Sequence, residues 1–147
     1  MSYSFDRFAK EGLHEECGVF GIFSDGTIDP AYACYNGLLA LQHRGQESAG
    51  IVVNDDGVFH SYKNTGLVND VFTSAELEKL GQGNMAIGHV RYGTMGTKGV
   101  VNAEPIVVNH IKGTLALATN GKLVNAAQLR RELELSGMIF HTSSDAE

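Results

Sequence analysis

Long apolar runs are missing from this chain of 147 residues. Its apolar stretches are short, as at Ile51-Val52-Val53 and Ile106-Val107-Val108. A bilayer-spanning helix takes about 20 such residues, so none is expected. The first sixteen residues carry charges throughout and have no hydrophobic centre, which excludes a secretory signal. Cysteine is scarce as well. Cys17 and Cys34 cannot make a disulfide framework, so the expected location is the reducing cytoplasm. Basic residues are outnumbered, eleven Lys and Arg against seventeen Asp and Glu, for a net charge of -6. Such a chain has no general field for nucleic acid, and no nucleic-acid or membrane partner is expected. Proline occurs only twice, and no repeat, low-complexity tract or composition shift divides the chain. One core of ordinary globular composition follows.

Glycine is what is abundant: eighteen residues, about 12% against roughly 7% on average. Several sit beside polar residues inside motifs, which suggests a backbone shaped for close approach. A polar leader over 1–16 precedes an expected strand over 17–23, then a helix from Pro30 to about Gln42. Strands over 48–54 and 58–63 flank Asp55-Asp56-Gly57, a strong hairpin signal. A short helix beginning at Ser74, a strand over 85–91 and a glycine-rich loop over 93–99 come next. Strands over 106–110 and 114–119 turn at Lys112-Gly113, and Asn125 is expected to cap a helix to about Ser136. Thr142-Ser143-Ser144-Asp145 resembles one more helix start, so the chain reads as a piece of a longer protein. Hairpins with helices inserted as blocks favour a largely antiparallel α+β architecture.

Phosphate loops fail on detail. Lys98 is followed by Gly99 and Gly121-Lys122 by Leu123, where a phosphate loop needs Ser or Thr, and no GxGxxG joins a strand to a helix. Asn54-Asp55-Asp56 after Val52-Val53 resembles the start of a phosphoribosyl-diphosphate site, but Gly57-Val58-Phe59-His60 reads as strand, so a turn is the better reading. There is no CxxC or HExxH, and nothing near His14 and Cys17 completes a metal set; scattered surface or hydrogen-bonded histidines are the ordinary reading. Cys34, next to Ala33 and Tyr35 in a helical stretch, reads as a small buried hydrophobe. Cys17 differs, because it stands where a charged leader switches abruptly to strand, with Gly18 next to it. If the bond after Glu16 were cut, its α-amino group, with a pKa of about 7.7–8, could serve as its own base. Composition leaves this as one idea among several.

Five motifs narrow the choice: Glu15-Glu16-Cys17-Gly18-Val19-Phe20-Gly21-Ile22, Leu41-Gln42-His43-Arg44-Gly45-Gln46-Glu47-Ser48-Ala49-Gly50-Ile51, Gly88-His89-Val90-Arg91-Tyr92, Asn120-Gly121 with Leu123-Val124-Asn125, and Thr142-Ser143-Ser144-Asp145. In this order they resemble the N-terminal class II glutamine amidotransferase domain of the amidophosphoribosyltransferase family, from about Gly12 to Glu147. The resemblance implies the αββα sandwich of N-terminal-nucleophile hydrolases, with two antiparallel sheets, incomplete at the C-terminus. It implies a propeptide over 1–16, a truncated glutaminase domain over 17–147, and an absent phosphoribosyltransferase domain.

By the same resemblance Cys17 is the nucleophile that forms a glutamyl thioester, while Asn120 and Gly121 form the oxyanion hole. Arg91 holds the α-carboxylate of glutamine and Asp145 its α-ammonium, with Arg44, Gly45 and Thr94 near the pocket. Without it, Asn120-Gly121 would read as a hairpin turn, Arg91 as a surface charge, Asp145 as a helix cap and Arg44 as an ion pair. Relatives resemble His-Asn-Gly-Asn where this chain has Thr119-Asn120-Gly121-Lys122, and Ser-Asp-Thr-Glu where it has Ala146. They also resemble Tyr-(Ala/Ser)-Thr-Ala-Gly where it has Tyr92-Gly93-Thr94-Met95-Gly96. Implied for the full-length family member are Mg2+, in some relatives a 4Fe-4S cluster, phosphoribosyl diphosphate as co-substrate, and a homo-oligomer; no cofactor is expected in this piece. Two other readings stand beside this one: a non-catalytic truncated remnant that binds a partner, and a self-processing peptidase of the same superfamily.

Overall fold

The computed structural model describes residues 16–93 and 99–147. The expected leader, apart from Glu16, and Thr94 in the glycine-rich loop lie outside the described residues. The elements follow the order β1 (Gly18–Phe23), α1 (Pro30–Ala40), β2 (Ser48–Asp55), β3 (Val58–Thr65), α2 (Val68–Val71), α3 (Ser74–Lys79), β4 (Met85–Arg91), β5 (Ile106–His110), β6 (Gly113–Leu117) and α4 (Ala126–Leu135). The fold is α+β with two antiparallel sheets, one of order β1-β4-β2-β3 and one formed by β5 and β6.

Local chemistry accounts for most of these boundaries. Asp29 caps α1 by accepting the Ala31 and Tyr32 N–H groups at 2.9 and 3.2 Å, and Pro30 supplies the first helical residue. The helix stops at Ala40 and tightens into a 3-10 turn over Gln42–Arg44, slightly short of the expected end. The β2–β3 hairpin turns on Asp56-Gly57, with φ of 48° and 87°, while Asn54 Oδ1 takes the Gly57 N–H at 2.8 Å.

α3 begins at Ser74, as expected, with Thr73 in the position before it and the Thr73 hydroxyl turned to Glu76. The cap of α4 needs correction. Asn125 stands at the start of α4, but its side chain makes no capping bond. The run over 142–147 forms turns. Glu147 takes the N–H groups of His141 and Thr142 at 2.8 and 2.7 Å, and the Thr142 hydroxyl takes the Ser144 N–H at 3.1 Å, which satisfies the donors locally.

Side chains alternate across a strand, and the register therefore fixes what each face of the four-stranded sheet carries. One face presents Ala49, Ile51, Val53, Ala86 and Val90 to Leu38, Val68, Val71, Phe72, Leu77 and Leu80 from α1, α2, α3 and the segments beside them. Small residues set the helix spacing: a Cβ on Gly88 would meet the Cys34 sulfur at 2.5 Å, and one on Gly37 would meet the Phe20 ring at 2.5 Å. The other face carries His89 and Gly50 opposite each other, Ser48 opposite Arg91, and Lys63 opposite Gly50. The segment running through Asn102, Ala103 and Glu104 crosses this second face, and Gly50 leaves room for the Glu104 carbonyl.

Candidate active site

The site sits where β1 begins and β4 ends. Gly18 pairs with Val90, so Cys17 stands level with Arg91, whose β2 partner is Ser48. Cys17, Arg91, Glu104, Thr119, Gly121 and Asp145, with Ser143 and Ser144, line one cleft of about 260 Å³. Four of the residues singled out in the sequence therefore meet from four separate segments. Asn120 joins them by donating from Nδ2 to the Cys17 carbonyl at 3.3 Å.

Arg44 and Gly45 stand behind the cleft. Arg44 donates from Nε to the Cys17 carbonyl at 3.0 Å and from Nη2 to the Glu16 carbonyl at 3.1 Å, so it grips the backbone on both sides of the nucleophile candidate. A Cβ on Gly45 would lie 2.6–2.7 Å from the Val90 and Arg91 backbone, so only glycine lets this turn rest on the end of β4. Cys17 itself has φ of 25°, a region L-residues seldom adopt. The two side chains holding its carbonyl oppose the relaxation of a strain worth about 1–3 kcal/mol.

Burial pushes the half-buried Cys17 thiol above its ordinary pKa, and the Glu104 and Glu16 carboxylates add to this. The Tyr92 N–H, 3.4 Å from the sulfur, and the Arg91 guanidinium oppose it. The thiol is therefore neutral near pH 7 and needs a base to become a nucleophile. Arg91 donates from Nη1 to the Asn102 carbonyl at 2.5 Å, and its Nε lies 3.9 Å from Glu47. The Asp145 Oδ2 accepts the Leu123 N–H at 2.5 Å. Asn120-Gly121 is not a hairpin turn but follows β6 in an irregular stretch.

Sequence reasoning missed Asn102, His89 and Glu104. Asn102 Oδ1 accepts the Ser143 N–H and hydroxyl at 3.0 and 3.1 Å, joining the Arg91 side of the cleft to the Asp145 turn. His89 and Glu104 are both buried, with Nε2 of the one 3.8 Å from Oε2 of the other. Their partners are distant in sequence, so no spacing announces them. No group of three or more His, Cys, Asp or Glu that could hold a metal occurs among the described residues. Nor is any described helix long and apolar enough to cross a membrane.

Comparison with known proteins points to the class. Residues 76–147 match the family described as a glutamine amidotransferase domain. The particular kinship is with the amidophosphoribosyltransferases. The chain is 53% identical over 131 residues to that of Methanocaldococcus jannaschii, covering 89% of this chain and 28% of the relative. It is 51% identical over 138 residues to that of Bacillus subtilis, covering 93% and 28%. Against the human protein it is 48% identical over 143 residues, covering 92% and 28%. This chain thus spans little more than a quarter of the length of these enzymes. Among solved structures, the allosteric regulatory enzyme of purine biosynthesis superposes with a TM-score of 0.80 at 48% identity, covering 87% of this chain and 27% of that one. The glutamine phosphoribosylpyrophosphate amidotransferase of B. subtilis, complexed with ADP and GMP, gives 0.73 at 45% identity, covering 88% and 27%.

Proposed function

We propose that the chain carries the glutaminase half of an amidophosphoribosyltransferase, built as an N-terminal-nucleophile hydrolase sandwich with a leader over 1–16. One observation carries the reading: Cys17, Arg91, Gly121 and Asp145, from distant segments, line a single cleft of about 260 Å³. That is somewhat below the roughly 300–1,000 Å³ of sites for drug-sized ligands, and it suits an amino acid better than a nucleotide.

Removal of the leader turns the nitrogen of Cys17 into an α-amine, which takes the thiol proton. The thiolate attacks the side-chain carbonyl carbon of glutamine. The carbonyl π pair moves to oxygen, where the Asn120 amide and the Gly121 N–H donate to the developing charge; one such donor is worth about 3–4 kcal/mol. As the intermediate collapses, the amine returns its proton to the leaving nitrogen, ammonia departs, and a thioester remains. Water attacks that thioester, giving glutamate and the free thiol. Arg91 binds the α-carboxylate, a task suited to a guanidinium, and the second carboxylate oxygen of Asp145 takes the α-ammonium.

In the longer protein the ammonia would meet phosphoribosyl diphosphate and yield phosphoribosylamine, in the cytoplasm. The test is the intact mass of the purified chain before and after a diazoketone analogue of glutamine. Loss of residues 1–16 and a single adduct on Cys17 are expected. A cleaved chain that takes no adduct overturns the glutamine pocket, and an uncleaved, unreactive chain overturns the reading for these residues.

A further inference from the structure

We infer that Glu104 is a positioning residue for this glutaminase step, its buried carboxylate tying the stretch that bears Asn120 and Gly121 to the turn that bears Asp145. The inference rests on the functional reading above. Glu104 is only 4% exposed, and a carboxylate so placed is costly unless its oxygens are hydrogen-bonded. Both oxygens are engaged. Oε2 accepts the Thr119 N–H at 2.6 Å and lies 3.3 Å from the Thr119 hydroxyl, while Oε1 accepts the Ser144 hydroxyl at 3.4 Å. Thr119 immediately precedes Asn120, and Ser144 immediately precedes Asp145. One side chain therefore sets the separation between the oxyanion donors and the ammonium acceptor.

The anchor is itself held. Lys63 Nζ donates to the carbonyls of Ala103 and Pro105 at 2.5 and 3.2 Å, pinning the backbone on both sides of Glu104 to β3. On the far side of Thr119, its carbonyl lies 3.0 Å from His89 Nε2. Burial holds His89 below the ordinary histidine pKa, so the neutral ring donates from Nε2 to that carbonyl. Thr119 is thus fixed at its N–H by Glu104 and at its carbonyl by His89, which leaves the Asn120 amide little freedom to wander. Oxyanion donors act through such preorganisation, and a misplacement of about 1 Å can cost on the order of 10²-fold in rate.

The test compares Glu104→Met with Glu104→Gln in the full chain. Glutamine turnover is normalised to the Cys17 sites that the diazoketone labels, so a loss of folded protein cannot imitate a loss of positioning. Glu104→Met should lower kcat per labelled site by about 10²-fold. Glu104→Gln, whose amide oxygen still accepts the Thr119 N–H, should recover most of that. Ser144→Ala, which leaves the carboxylate in place, should raise KM for glutamine about 3–10-fold with a smaller change in kcat. Equal kcat per labelled site in Glu104→Met and the unaltered chain overturns the inference, as does a Glu104→Gln chain no better than Glu104→Met. If Glu104→Met does not fold, an unchanged KM in Ser144→Ala overturns it. An unaltered chain that is labelled at Cys17 yet turns over no glutamine overturns the functional reading instead, and the inference falls with it.

Discussion

The two faces of the four-stranded sheet are built by opposite rules from the same strands. Toward α1, β2 and β4 alternate in small and branched apolar residues, and the fit is set by volume: Cys34 and Leu38 press on Gly88. Toward the cleft, the alternate positions carry Ser48, Lys63, His89 and Arg91; Lys63 and Arg91 donate to backbone carbonyls of the crossing segment, and His89 reaches the Thr119 carbonyl. One face should therefore answer to substitution with lost stability, and the other with lost chemistry.

The sharpest break is Cys17→Ala, which should abolish glutamine hydrolysis while leaving the urea midpoint nearly unmoved. Asn120→Ala comes next, with kcat down by about 10²–10³, or about 3–4 kcal/mol of barrier, and little change in stability. On the opposite face Leu38→Ala should cost roughly 2–5 kcal/mol in urea unfolding, with Cys17 labelling per folded molecule unchanged. At the hairpin, remote from both faces, Gly57→Ala meets no neighbour but must hold φ of 87°, for a loss of about 1 kcal/mol.

The smallest effect is on pH. Burial lowers the pKa of His89, with Arg91 acting in the same direction and Glu104 and the Thr119 carbonyl against it. The unfolded chain binds a proton at about pH 6.5 that the folded chain takes up only at lower pH. Stability should therefore fall as pH drops below about 6.5, and His89→Gln should flatten that slope in urea titrations at pH 7 and pH 5.

The apolar face and its turns were legible in the sequence because their causes are local. Asp56-Gly57 marked the hairpin and the two strands it joins, and Pro30 marked α1. Motif resemblance also reached Cys17, Arg91, Gly121 and Asp145, which the cleft brings together. Glu104 and His89 were illegible for a physical reason: a charged residue before a proline and a histidine in a strand look the same whether exposed or buried. Only tertiary contact, across 15 residues to Thr119 and 40 to Ser144, tells them apart. The four-residue α2 escaped for the same reason, since its donors are satisfied by neighbours that no periodic pattern specifies.

The packing of Cys34 has a practical consequence. It is completely enclosed, and burial pushes its thiol up to about 12. The sequence holds only one other cysteine, at the mouth of the cleft. A thiol-directed fluorophore or spin label applied to the folded, unaltered protein should therefore report from a single address, with Cys34 answering only when α1 lifts from the sheet. The molecule thus contains its own pair of probes, one for the cleft and one for unfolding, with no residue changed to install them.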